Sequence, residues 1–187
     1  MKLFIKILSH ELSPALFEVT DENQNIIYKA FEKEPKNIAE KILRSTRLRT
    51  LMNYILIIRD LEKNNEIYLE REASLFKIKY KLLSSYKEPL FTFSPKDILE
   101  NELEIRNKYD EMVGRIRRED ILKLGTRSGK LFDNQKNEVG FYEWKIKKFF
   151  FTTKKTICSV VLLKEDEIFK LLILVSALIE IIRGQGR

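Results

Sequence analysis

Clustered positive charge is the feature of this sequence that is best suited to a chemical role, namely the binding of anions. The 187-residue chain has 35 Lys and Arg against 28 Asp and Glu, a formal charge of +7. Guanidinium and ammonium groups bind phosphates and carboxylates, so the charge permits anionic lipid headgroups or nucleic acid as partners. It is equally compatible with an ordinary solvated surface. The candidate anion ligands are Arg44, Arg47, Arg49, Lys77, Lys79, Lys81, Arg115, Arg117 and Arg118.

A second set of polar residues interrupts the apolar segment near the C-terminus. On a helix, with about 100° per residue, Lys170, Ser176, Glu180 and Arg183 fall within one arc. This stripe could face a solvated mouth of the fold. Alternatively, Glu180 is buried and needs a basic partner, because a buried unpaired carboxylate is costly. Arg183, one turn further along, is the nearest candidate for that partner.

The remaining reactive residue types do not form a catalytic set. His10 is the only histidine, so neither a histidine-based metal cluster nor a Ser-His-Asp triad is predicted. Cys158 lies in an apolar strand and is interpreted as a core residue. Residues 125–130 resemble a phosphate-binding loop, but the loop is one residue short and Leu131 replaces the Ser or Thr that would hold Mg²⁺. We interpret them as a turn, and expect a non-catalytic protein without cofactor or metal.

The polar stripe belongs to a segment that we expect to be the central helix, residues 168–183. Its sequence, IFKLLILVSALIEIIR, lacks Gly and Pro until Gly184, a natural C-terminal stop. A helix that is apolar on nearly every side must be buried in protein or in lipid. Lys170 and Glu180 leave a charge-free run shorter than the roughly 20 residues of a membrane span, which favours burial in protein.

Most of the chain before this helix alternates between apolar and polar residues, as strands do. About twelve strands are predicted, and polar turns join many of them into hairpins. Hairpins in series form a meander that can close into a barrel, and about twelve strands leave a bore wide enough for a helix about 10–12 Å thick. Two stretches break the pattern: residues 35–52 read as a basic helical insertion, and Ser94 with Pro95 resembles the start of a short helix.

A weak repeat marks the turns. Asn107 leads to Val113-Gly114 and Asp133 leads to Val139-Gly140 with the same spacing. Together with the opening MKLFIK at residues 1–6, the turn VTDENQN at 19–25 and the acidic KEDE at 164–167, this order resembles the tubby-like C-terminal barrel of the LURP-one-related proteins and phospholipid scramblases. The resemblance covers almost the whole chain. It implies one domain over residues 1–187, a closed antiparallel barrel around a hydrophobic C-terminal helix.

The sequence also departs from that family. Asn25 and Asn65 stand where the family turns have Gly, which is tolerable because Asn accepts a positive φ. The scramblase cysteine cluster, calcium-ligand segment and proline-rich N-terminus are missing from the sequence, so scrambling is not implied. We expect a binding or scaffold module for anionic lipid headgroups, with nucleic-acid binding as the alternative. Lys6 interrupts the first apolar run and the chain has one cysteine, so we expect a cytoplasmic protein, peripheral at a membrane where it meets lipid.

Overall fold

A computed structural model describes residues 1–8, 14–34, 53–72, 78–96, 101–119, 126–145 and 157–185. The described strands form one closed antiparallel barrel, in which each strand pairs with its neighbours in the chain and β1 closes the ring against β12. The predicted barrel with a C-terminal helix is therefore confirmed. The elements are β1 (Lys2–Ile7), β2 (Leu16–Thr20), β3 (Ile26–Glu32), β4 (Tyr54–Asp60), β5 (Asn65–Glu72), β6 (Lys79–Leu83), β7 (Pro89–Pro95), β8 (Glu102–Asn107), β9 (Met112–Glu119), β10 (Thr126–Asp133), β11 (Glu138–Lys145), β12 (Ile157–Leu162) and the helix α1 (Glu167–Gln185).

Alternation of side chains decides which face of each strand lies inside the barrel. In β4, Tyr54, Leu56 and Ile58 are buried, while Ile55 and Ile57 between them are only partly covered. Successive side chains point to opposite faces of a strand, so one set fills the interior. The same period places Lys79 and Lys81 of β6 outside the barrel and its apolar neighbours inside, as the sequence predicts.

The meander gives the barrel two ends with different connections. We call the end with the short turns the turn end, and the opposite end the loop end. The turn end holds residues 21–25, 61–64, 84–88, 108–111 and 134–137, and the link 163–166 that leads into α1. At the loop end the chain passes between strands through residues 8–15, 33–53, 73–78, 96–101, 120–125 and 146–156.

Side-chain oxygens fix the turns that the sequence repeat marks. One carboxylate oxygen of Asp133 accepts hydrogen bonds from the backbone N–H groups of Gln135 and Asn137, at 2.9 and 2.8 Å. Asp21 and Asn107 do the same in their own turns. Such bonds satisfy turn amides locally, so the repeat has a structural cause.

The positive φ of these turns falls one residue earlier than we expected. Gln24 and Asn64 have φ of 67° and 48°, whereas Asn25 and Asn65 are not among the residues with positive φ. Asn25 is already held by Asp21, which accepts from its backbone N–H and from its side-chain amide. The expectation for Asn25 and Asn65 was therefore wrong.

Helix α1 begins at the turn end and runs through the barrel. Asp166 caps it, because one of its carboxylate oxygens accepts from the backbone N–H groups of Ile168 and Phe169 at 2.8 and 3.1 Å. Its apolar side chains from Leu172 to Ile182 are buried, in the same core as the inward side chains of the strands. The helix continues past Gly184 to Gln185, so Gly184 does not stop it. Among the helices that the structure describes, none is long and apolar enough to cross a membrane.

Two local interpretations of the sequence are corrected by strand pairing. Ser94 and Pro95 end β7 opposite Glu104 and Leu103 of β8, and do not open a helix. Residues 126–130 are not a turn but the first part of β10, paired with β11. The predicted helical insertion 35–52 and His10 lie outside the described residues.

Candidate anion-binding site

On the outer face of the barrel, two of the four described candidate cations pair with carboxylates on neighbouring strands. Lys81 of β6 forms an ion pair with Glu72 of β5, and Arg115 of β9 pairs with Glu102 of β8 at 3.2 Å. Among the described residues no carboxylate pairs with the exposed Lys79 or Arg117, and Arg117 lies over the ring of Phe132 at 5.6 Å. The outer face is therefore a mixed surface, the pattern expected of a solvated one. Arg44, Arg47, Arg49 and Lys77 lie outside the described residues.

Charge is distributed unevenly along the sequence. The described residues contain as many acidic as basic side chains, so the whole excess of +7 belongs to the sequence of the other segments. Apart from the last two residues of the chain, every one of those segments joins two strand ends at the loop end. At the turn end, acidic side chains outnumber basic ones, with Glu22, Glu62, Asp110 and Glu165 among them.

Arg118 does not belong to the outer face with Arg115 and Arg117. Its Nε lies 2.8 Å from Oε2 of Glu180, inside the loop end, and its side chain is 12% exposed. Nη1 of Arg127, the second residue of β10, lies 3.2 Å from the other oxygen of Glu180. We call Arg118, Arg127 and Glu180 the interior arginine cluster. Of the two interpretations of the polar stripe, the one in which Glu180 is buried and paired is confirmed.

The other residues of the polar stripe do not join that cluster as one site. The hydroxyl of Ser176 donates to the carbonyl oxygen of Leu172 in the preceding turn, so it is satisfied inside the helix. Lys170 lies near the turn end, 3.5 Å from Glu167 and 5.9 Å from the ring of Tyr28. Arg183 lies one turn beyond Glu180, and its charge acts on Tyr142 together with that of Arg118 and Glu180.

Aromatic and apolar groups surround the cluster. The guanidinium of Arg127 lies 5.4 Å from the ring centre of Trp144, and Tyr142 is fully buried beside the cluster. Burial, and next the charge of Glu180, raise the pKa of Tyr142. Burial also raises the pKa of the Cys158 thiol, opposite Trp144 on β12, which keeps the thiol protonated and unreactive, in agreement with its interpretation as a core residue.

The described part of the chain contains no group of three His, Cys, Asp or Glu side chains that could hold a metal ion. A shallow depression of about 480 Å³ lies at the turn end, between Asn107, Glu111, Met112, Val113, Asn134 and Phe169. It is at the opposite end of the barrel from the arginine cluster. The cluster is a group of buried or largely buried charges at the loop end.

Sequence reasoning missed Arg127 and misplaced Arg118. Gly129 and Leu131 of β10 are buried, and Arg127 lies on the same face because side chains two apart do. Steps of two residues back from Leu131 lead to Gly129 and then to Arg127, so the alternation of a strand would have placed Arg127 on the inward face. The interpretation of residues 125–130 as a turn prevented this prediction. Likewise Arg118 follows Ile116 by two residues on the inward face of β9.

These features define a class of protein: a closed twelve-strand antiparallel barrel with a C-terminal helix as its core and arginines inside one end. No family model, curated protein or solved structure matches the chain.

Proposed function

We propose that this chain is a non-catalytic barrel of the tubby-like, LURP-one-related type that binds anionic lipid headgroups at a membrane surface through its loop end. The observation that supports this most directly is the distribution of charge. The described barrel is balanced, its turn end is acidic, and the segments that join the strands at the loop end carry +6 of the excess of +7, with Arg187 carrying the remaining charge.

This uneven charge produces an electric field that both attracts the protein to an anionic membrane and orients it there. Basic groups close to an anionic leaflet contribute about 1 kcal/mol each, and the contribution falls off within a Debye length. The acidic turn end is repelled by the same surface. The loop end therefore faces the membrane, and the exposed side chains of the turn end, such as Tyr86 and Tyr109, face away from it.

Vesicle co-sedimentation tests the proposal. Vesicles of phosphatidylcholine alone are compared with vesicles that also contain phosphatidylserine, at low and at physiological salt. We expect binding only with the anionic lipid, and weaker binding at higher salt. The absence of binding to anionic vesicles at low salt would rule the function out.

A pair of variants locates the binding surface. In the first, Lys147, Lys148, Lys154 and Lys155, between β11 and β12, are changed to Gln. In the matched control, the same charge is removed from exposed positions of the described barrel: Lys29, Lys79, Lys108 and Lys136. We expect the first variant to lose most of the binding and the control to lose little. Equal losses would mean that net charge alone, and not the loop end, governs the interaction.

The same charge would attract nucleic acid, which is the alternative function. Binding to DNA or RNA through phosphates falls steeply with salt. A gel shift at low salt, with the two lysine variants run alongside, separates the two partners. A shift with nucleic acid in the absence of vesicle binding would replace the lipid proposal.

A further inference from the structure

We propose that the turn end of the barrel is an interface for a second copy of this chain, and that it receives the loop end of that copy. The association is head to tail, because the two faces lie at opposite ends of the same barrel. It goes beyond the proposed function, since it needs no lipid and is tested without vesicles.

Exposed apolar side chains are concentrated at the turn end. Nine large hydrophobic side chains of the described residues are exposed, and all but Leu8 and Leu16 lie at this end. Single exposed apolar side chains are normal, but a group of them at one end of a molecule is typical of an interaction surface. The two most exposed are Tyr86 and Tyr109, and tyrosine is enriched in protein–protein interfaces. The turn end therefore has the composition of a docking surface.

The depression at the turn end is suited to a long basic side chain. Its volume is about 480 Å³, and Met112, Val113 and Phe169 form the apolar part of its lining. Glu111 belongs to the same lining. One of its carboxylate oxygens accepts from the side-chain amide of Asn107 at 2.7 Å, and the other has no hydrogen-bond partner among the described residues. Lys and Arg combine an apolar stem with a cationic head, so either side chain can contact the apolar lining and pair with Glu111.

Charge favours the loop end of another copy as the occupant. The turns of the turn end, with the link into α1, contain eight acidic side chains against five basic ones, so two turn ends repel each other. The segments that join the strands at the loop end carry +6. Among these segments, residues 146–156, IKKFFFTTKKT, contain four Lys, three Phe and no acidic residue. This segment therefore has both the basic and the apolar side chains that the turn end is suited to bind.

A head-to-tail contact determines how the assembly grows. Each pair of docked copies still has one free turn end and one free loop end, so further copies can be added. Contacts of this kind close into a ring or continue as an open chain, whereas a two-fold contact stops at a dimer. Because the contact joins opposite charges at the surface, it weakens as the salt concentration rises.

Sedimentation velocity of the intact protein tests the association. A dilution series is measured at low and at physiological salt. At low salt, we expect the average mass to rise with concentration above the 22.3 kDa of one chain, and we expect a smaller rise at physiological salt. A mass of 22.3 kDa at every concentration at low salt would overturn the proposal and leave a different protein as the occupant of the turn end.

A pair of variants tests whether the turn end forms the contact. The turn-end variant combines Glu111→Lys with Glu165→Lys. The matched control combines Glu18→Lys with Glu70→Lys, the same change of net charge on the outer face of β2 and β5. We expect the association constant of the turn-end variant to fall about tenfold or more, because basic side chains would then face the basic loop end. The control should associate nearly as the wild type does. Equal losses in the two variants, with normal melting curves, would contradict the proposal.

Mixing two variants separates a head-to-tail contact from a two-fold one. The loop-end variant, in which Lys147, Lys148, Lys154 and Lys155 are changed to Gln, keeps its turn end intact, and the turn-end variant keeps its loop end intact. At concentrations where the wild type associates, each variant alone should stay near 22.3 kDa. An equimolar mixture should form a dimer of one copy of each and grow no further. A mixture that stays monomeric would show that the two ends do not bind each other, and would overturn the proposal.

Discussion

At the turn end, helix α1 is held by an ion pair in solvent, whereas at the loop end it is held by one inside the barrel. Lys63 of the β4–β5 turn lies 2.7 Å from Glu167, and both side chains are more than half exposed. Glu180 is 9% exposed and lies between two arginines from β9 and β10. The same helix therefore has an exposed ion pair at one end, which is common on protein surfaces, and a buried ion pair at the other end, whose desolvation costs free energy.

The difference between the two ends separates the interactions that the fold needs from interactions that it does not require. The turn end is completed by local hydrogen bonds, such as those of Asp21 and Asp133 to their own turns. The loop end places the ion pairs of Glu180 with Arg118 and Arg127 inside the barrel, and buried ion pairs do not in general improve stability over apolar packing. An arrangement that the fold does not require is where a binding role is most reasonably sought.

The largest effect that we expect concerns the part of α1 between these ends. Leu174 is fully buried, and Leu174→Asp would place an unpaired carboxylate in the core. Changes of this kind cost more than about 4–5 kcal/mol, a large part of a total stability of roughly 5–15 kcal/mol. We expect the cooperative thermal transition seen by circular dichroism to be lost.

Ile168→Asp is the matched control, because Ile168 lies on the same helix and is 51% exposed. It should melt close to the wild type. A Leu174→Asp protein with a normal cooperative melt would show that the barrel does not depend on α1 and would contradict the interpretation of the helix as its core.

The second effect compares the two ion pairs directly. Glu180→Gln removes the carboxylate that pairs with Arg118 and Arg127, and breaking a buried pair costs about 3–5 kcal/mol. We expect the lower end of that range because Arg127 is partly exposed. Glu167→Gln removes an exposed pair, which is worth about 0–1 kcal/mol. Urea unfolding of the two variants measures both, and equal losses would remove the distinction between the ends.

The sequence was sufficient for features that depend on short-range patterns. Alternation identified strands such as β4 and β6, and an apolar segment without Gly or Pro identified α1. The Asp and Asn repeat identified turns, because each such side chain bonds only to the residues that follow it.

Features that depend on distant strands were not accessible in the same way. Gly129 looked like a turn residue, but it lies inside β10 where an added Cβ would collide with the hydroxyl of Tyr142 on β11. Ser94 and Pro95 have the local signature of a helix start, and pairing with β8 overrides it. The two arginines that pair with Glu180 come from β9 and β10. Arg127, for example, is 53 residues away from Glu180 along the chain.

The smallest effect that we expect is at the turn end and depends on pH. Hydrogen bonds from the side-chain amide of Asn137, and from the backbone N–H groups of Asn137 and Gln135, lower the pKa of Asp133 below its ordinary value of 3.8. A carboxyl group with a lowered pKa stabilises the fold above its ordinary pKa, and that contribution is lost as the pH falls through the lowered value. Asp133→Asn should therefore reduce the loss of melting temperature below about pH 4.

The β8–β9 turn shows how an amide can take this place. Asn107 accepts the same two backbone bonds, and its side-chain amide donates to Glu111 at 2.7 Å, whereas Asp133 accepts from Asn137 at 3.0 Å. The donor and acceptor are exchanged between the two turns. Asp133→Asn alone places two amides opposite each other, so at pH 7 it should melt slightly below the wild type. Combining it with Asn137→Glu recreates the pairing of Asn107 with Glu111 and should restore the melting temperature. A combined variant that melts lower than Asp133→Asn would show that the two turns are not equivalent, and that the turn end is less uniform than its repeat indicates.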